Sequence, residues 1–200
     1  MRGTRWYPIA YMFFVTAGFS SVVIGVAAMT RERVEANARA AFQSAVLAVL
    51  PGLYEPGLSG PEVERRFVEQ VSEPDARSAG AYTLRKDGQV VAYALPFVGQ
   101  GFWAPIRGVI GIAADRQTIL GITFYEQGET PGLGAEITRP AFRRQFEGRI
   151  LAREERPIRM RRPGTELDKN EVFAITGAAQ TSIRLEAIIN QAVRQWQEAL

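Results

Sequence analysis

Two hundred residues, 46% of them apolar, suit one compact domain with a small appendage. The 24 basic and 21 acidic residues leave a net charge of +3, too small to argue for nucleic acid. There is no cysteine and no histidine, which removes disulfides, thiolate nucleophiles, iron–sulfur ligation, imidazole bases and the common zinc and haem ligand sets; any redox chemistry must come from an organic cofactor.

From Trp6 to Thr30 the chain carries no charge. At 1.5 Å per residue a helix of this length spans roughly 35 Å, enough for a hydrocarbon core about 30 Å thick. Trp6 and Tyr7 stand where an interfacial aromatic belt would sit, and Pro8 is tolerable in a first turn. A cleaved signal peptide would have a shorter apolar region and a small-residue site, and Thr30-Arg31-Glu32-Arg33 supplies none. The segment therefore reads as an anchor. Arg2 and Arg5 precede it while Arg31, Arg33 and Arg39 follow it, so charge leaves its orientation nearly undecided.

Val34, Ala38, Ala41, Phe42, Ala45, Val46 and Val49 then recur at helical spacing until Pro51-Gly52. Ser59-Gly60-Pro61-Glu62 is a capping box opening a short helix through Val63, Phe67 and Val71. From Ala81 the pattern turns to strands. Tyr82 and Leu84 alternate, Asp87-Gly88 signals a hairpin, and Val90–Leu95 returns. A loop at Gly99-Gln100-Gly101-Phe102-Trp103 leads to strands at Val109–Ile112 and Ile119–Phe124, joined across Asp115-Arg116-Gln117. A helix begins at Pro140 and carries Phe142 and Phe146. The last helix runs from about Ser182 to Trp196, with Leu185, Ile188, Ile189, Ala192 and Trp196 on one face. Helices, then strands, then helices give an α+β class around an antiparallel sheet. The eight arginines between Arg143 and Arg162, interleaved with Glu147, Glu154 and Glu155, suit a surface that docks a partner subunit or anionic lipid headgroups. Glu166, Asp168 and Glu171 cluster in sequence, but neighbouring carboxylates alone support neither a hydrolase nor a metal site.

Two loops carry the functional signal. The first, Gln127 to Glu136, follows an apolar strand and holds three glycines and a proline within seven residues, a compact path that lets backbone approach a ligand. Leu133 would be pushed outward there, against a flat ring. The second, Thr176-Gly177-Ala178-Ala179-Gln180-Thr181-Ser182, has the form of a tight turn delivering backbone N–H groups to a helix N-terminus. Its plain structural reading is an N-cap by Thr181 or Ser182.

The stretch Gly128-Glu129-Thr130-Pro131-Gly132-Leu133-Gly134-Ala135-Glu136-Ile137 resembles the loop that lines the FMN site in the NqrC/RnfG family of membrane redox subunits. The text from Gly99 to Trp103 and from Gly121 to Gln127 is similar to the same family, and the turn at Thr176 resembles its flavin-attachment motif, Ser/Thr-Gly-Ala-Thr followed by Thr or Ser. In that family the fourth-position threonine carries FMN through a phosphoester bond, and an aspartate lies three residues before the element. Here those positions are Ala179 and Phe173.

The resemblance implies a membrane helix followed by an antiparallel-sheet FMN-binding-type domain flanked by helices. Residues 1–5 would be a cytoplasmic N-terminus, 6–30 the anchor, 31–75 a helical stalk or packing layer, and 76–200 the flavin-type domain. It places that domain on the periplasmic side of the inner membrane, as an electron-transfer subunit among other subunits of a complex rather than a stand-alone enzyme. Cofactor contacts would come from Glu129, Thr130, Pro131, Gly132, Leu133 and Gly134 in the first loop. Thr176, Gly177, Ala178, Gln180, Thr181 and Ser182 would supply them in the second. With neither acceptor nor aspartate, two readings stand: FMN held noncovalently, or a flavin-free structural subunit of a membrane redox or photosynthetic assembly.

Overall fold

The computed structural model describes residues 6–200, so the expected cytoplasmic segment 1–5 lies outside the described residues. Helix α1 runs unbroken over Trp6–Val49. The sequence suggests two segments meeting near Thr30, but Arg31, Glu32, Arg33 and Glu35 are sound helix formers with no Gly or Pro among them. An Arg31–Glu35 ion pair one turn apart, at 2.8 Å, adds to the junction. The chain divides into two compact units, ending and beginning at Arg39 and Ala40. In the first, large apolar side chains such as Phe13, Phe14, Phe19 and Ile24 are exposed along the helix. Among the described residues this is the one helix long and apolar enough to cross a membrane.

The second unit, Ala40–Leu200, is built on a five-stranded antiparallel meander in the order β1 (Val71–Ser72), β2 (Tyr82–Lys86), β3 (Gln89–Gln100), β4 (Pro105–Ala113) and β5 (Ile119–Glu126). Helix α2 (Gly60–Gln70) precedes it. Its predicted capping box forms, with Glu62 accepting from the Ser59 amide and hydroxyl at 3.0 and 2.7 Å. Val71, expected to continue this helix, instead opens β1 opposite Leu84. The β2–β3 turn is Asp87-Gly88, both at positive φ (51° and 77°), as a tight two-residue hairpin requires.

Strands β3 and β4 are longer than the sequence pattern suggests and pair over Ala92–Gln100 and Pro105–Ala113. Gly99 and Gln100, expected in a loop, therefore finish a strand. Pro96 is tolerated because pairing with β2 has already ended at Ala94. The two faces of the sheet differ in side-chain size. Tyr93, Leu95, Phe97, Ile110 and Ile112 join the core formed with the last helix. Ala92, Ala94 and Val109 face the core made by Ala45–Leu53 and α2. On that small-residue face a Cβ at Gly111 would meet the Val49 carbonyl oxygen, so the glycine admits the final turn of α1.

A short α3 (Pro140–Arg143), the parallel pair β6 (Arg159–Arg161) and β7 (Glu171–Phe173), and α4 (Ala179–Glu198) complete the unit. Phe142 and Phe146 are buried in a T-shaped pair, rings 5.5 Å apart. Helix α4 lies along β3 with Leu185, Ile189, Val193 and Trp196 buried. It also holds the β6 segment through polar side chains. Asn190 pairs with both backbone groups of Ile158 at 2.8 Å, and Glu186 accepts from the Met160 amide at 2.6 Å and from Arg156.

The arginine run serves this same purpose. Arg156, Arg159 and Arg161 pair with Glu186, Glu154 and Glu171, Arg149 donates to the carbonyls of Gln145 and Asp168, and Arg143 donates to Thr123. Much of the cationic stretch expected to dock a partner or lipid also staples irregular chain to the domain. The reason is physical: this stretch has little regular ladder, and guanidinium groups satisfy carbonyls and carboxylates that no strand reaches.

Candidate functional site: a cavity between three chain segments

The first loop leaves β5 and reverses at Thr130-Pro131-Gly132-Leu133. Pro131 fits the second position of a type II turn, Gly132 takes φ 75° at the third, and the Leu133 amide closes it onto the Thr130 carbonyl at 3.1 Å. The chain then passes Gly134 into a short 3-10 helix anchored by fully buried Ile137. A Cβ at Gly134 would stand 2.6 Å from the Thr181 hydroxyl and 2.7 Å from Glu129 Oε2, so only glycine lets this loop close on α4.

At the second loop Gly177 adopts φ 80° and α4 begins at Ala179, three residues earlier than the sequence pattern suggests. The helix has no side-chain cap, because the capping position is Ala178. Thr181 and Ser182, read from sequence as caps, are buried inside the first turn. Ser182 accepts from the Ile175 amide at 3.1 Å and donates to the Ala178 carbonyl at 3.0 Å, which folds the turn against its own helix. The hydroxyl of Thr181 donates to Glu129 Oε2 at 2.6 Å. The amides of Ala179, Gln180 and Thr181 have no preceding helical carbonyl to bond, and the Ser182 amide is the first that does, to Ala178 at 3.0 Å.

Glu129 joins these loops to a third segment. Its side chain is 5% exposed, and Oε1 accepts from the amides of Phe102 at 2.7 Å and Trp103 at 3.2 Å in the β3–β4 turn. The buried carboxylate is thus satisfied by donors from two other segments, the arrangement that makes burial of such a charge tolerable.

Between the three segments lies a cavity of about 360 Å³, lined by Phe102, Trp103, Glu129, Thr130, Leu133 and Gly134 on one side and by Gly177–Thr181 on the other. Leu133 and the α4 start share it: a Cβ at Gly177 would be 3.2 Å from Leu133 Cδ2. Of the residues the sequence singles out, the structure brings Glu129, Thr130, Leu133, Gly134, Gly177, Ala178, Gln180 and Thr181 to this space. Pro131, Gly132 and Thr176 lie outside the lining, and Ser182 is buried behind it. Sequence reasoning passed over Phe102 and Trp103 as site residues. Two adjacent aromatics following glycines in a turn were the available signal, and both are exposed, Trp103 by 67%. Ala179 lines the cavity too, so the acceptor position faces the ligand space but offers a methyl group. Phe173 ends β7, its amide donating to Gln145 Oε1 at 2.9 Å.

The lining suits a planar aromatic ligand with a polar tail. Leu133, Phe102 and Trp103 offer apolar and aromatic surface, and uncapped first-turn amides offer hydrogen bonds. Comparison with known proteins points the same way. The FMN-binding domain family matches residues 101–194, which include the β3–β4 turn, the Glu129 loop and nearly all of α4. This region is similar to the FMN-binding domains of NqrC subunits. The C subunit of the Na(+)-translocating NADH-quinone reductase of Pasteurella multocida is 46% identical over 77 residues, covering 38% of this chain and 30% of that protein. Its counterpart from Vibrio alginolyticus is 34% identical over 110 residues, covering 54% and 43%. The chain thus spans less than half the length of these curated relatives. The crystal structure of the corresponding Parabacteroides distasonis protein superposes with a TM-score of 0.71 at 25% identity, covering 84% of this chain and 96% of that one. Shewanella oneidensis NqrC shares the fold, with a TM-score of 0.63 at 20% identity.

Proposed function

We propose that the chain is a membrane-anchored electron-transfer subunit whose NqrC-like domain holds a flavin, FMN in the family pattern, without a covalent bond. The observation that carries this reading is the shared cavity, in which the GETPGLG loop faces an uncapped helix start across one space. Phe102, Trp103 and Leu133 would flank the ring, and the amides from Ala179 onward would meet the phosphate. When bound, the flavin supplies one-electron and hydride chemistry that no side chain here can supply. Glu129 orients the aromatic turn and the helix start around it. Attachment at Thr181 is disfavoured because that residue is 4% exposed and its hydroxyl is bonded to Glu129. We place the domain on the periplasmic side, with other membrane subunits as its partners.

The alternative is a flavin-free scaffold subunit of a membrane redox or photosynthetic complex. The methyl of Ala179 and the ring of Phe173 favour it. Acid precipitation of the chain purified with its native partners separates the two. Flavin in the supernatant supports noncovalent FMN, a yellow pellet means attachment at another residue, and absence from both supports the scaffold. A companion outcome concerns covalent labelling: Ala179→Thr alone stays unlabelled by the attaching enzyme, whereas Ala179→Thr with Phe173→Asp gains flavin that survives denaturing electrophoresis.

A further inference from the structure

Among the described residues, the cavity is lined by no lysine and no arginine, and its one charged group is the buried carboxylate of Glu129. That carboxylate is bonded to Thr181, the third residue of α4, so a negative charge already stands at the positive end of this helix. A free phosphate monoester brings about 1.5 to 2 further negative charges at neutral pH. An esterified phosphate retains a single charge, but the methyl of Ala179 forbids that ester here. Uncapped amides at a helix start strengthen anion binding by about 2- to 30-fold. In this cavity that gain is opposed by the nearby carboxylate, and no Lys or Arg in the lining offsets it. The apolar and aromatic wall at Phe102, Trp103 and Leu133 carries no such penalty.

Resting on the flavin reading above, we propose that this site recognises the isoalloxazine ring and is nearly indifferent to the phosphate, so that it takes neutral, unphosphorylated riboflavin about as well as FMN. The ligand class is the flavin ring system, with an exchangeable occupant. Glu129 is the specificity-determining residue: its charge discriminates against the phosphate while its hydrogen bonds hold the ring-binding walls together.

Calorimetric titration of the detergent-solubilised full chain, stripped of flavin, tests this with FMN, riboflavin and inorganic phosphate. The expected result is a riboflavin Kd within about ten-fold of that for FMN, and no displacement of either flavin by phosphate. Glu129→Gln, which removes the charge and keeps a polar side chain of the same shape, should shift the preference toward FMN. FMN binding more than about a hundred-fold tighter than riboflavin, or competition by inorganic phosphate, would overturn the inference and leave the flavin reading standing. Failure of both flavins to bind would sink that underlying reading and this one with it. Should Glu129→Gln fail to fold, the wild-type ratio alone decides.

Discussion

At Glu129 one carboxylate receives donors from the Phe102 and Trp103 amides and from the Thr181 hydroxyl, groups 26 to 52 residues away in sequence. Replacing Thr181 by valine keeps the shape but leaves Oε2 buried without its partner. The expected loss is about 1–3 kcal/mol, read from chemical denaturation, with Thr181→Ser recovering most of it. An unchanged midpoint for Thr181→Val would show that the bond does not hold the cavity. The loop itself was legible: Gly, Pro and Gly at these spacings dictate a compact path and close backbone approach. Its closure onto α4 was not, because no local pattern announces that a carboxylate will meet a hydroxyl 52 residues later. Thr181 and Ser182 misled for a related reason. Both have the chemistry of caps, but Thr181 turns inward to Glu129 and Ser182 bonds the backbone of its own turn, leaving an alanine at the capping position.

Among the elements, long ones with strong periodicity were readable and short ones were not. Helix α2, with its capping box, and the Asp87-Gly88 hairpin follow directly from residue type. Strands β1, β6 and β7 have only two or three residues each, too few to show alternation. What fixes β7 is partly electrostatic. The Asp168 amide holds the Glu171 carboxyl below the ordinary carboxylate range, against opposing burial and with help from the Arg161 guanidinium at 2.8 Å. A depressed folded-state pKa means stability fully present above the unfolded value, near 4.5, and lost as pH falls through the lower folded value. Thermal melts of the full chain between neutral pH and pH 3 should therefore show a decline beginning around 4.5 and continuing below it, and Glu171→Gln should reduce that decline. A second expectation concerns Gly111. Gly111→Ala pushes a methyl into the last turn of α1 and should cost about 1–3 kcal/mol, measured by denaturant unfolding. Equal stability would mean that Val49 can move aside.

For the molecule as a whole, the unit boundary at Arg39/Ala40 separates an apolar exposed helix from a domain with its own two-sided core. A fragment of residues 40–200 should remain in the supernatant after ultracentrifugation and elute as a defined species, whereas the full chain should sediment with membranes. Aggregation of the fragment without detergent would show that its core depends on the preceding helix. The α+β class and the anchor could be argued from sequence because they depend on composition and period. The length of β3 could not, since Pro96 reads as a breaker until β2 is seen to have stopped short of it.

Strand β3 alternates Ala92, Tyr93, Ala94 and Leu95, with aromatics and branched residues toward α4 and alanines toward the end of α1. Sliding this strand by one position would exchange the two sets, driving rings into space now filled by alanine methyls and opening voids beneath the other face. Insertions and deletions should thus be confined to hairpin tips and to the bulges this meander already carries, beside Leu84, Arg107 and Gly111, where an extra residue is absorbed without inverting the strand.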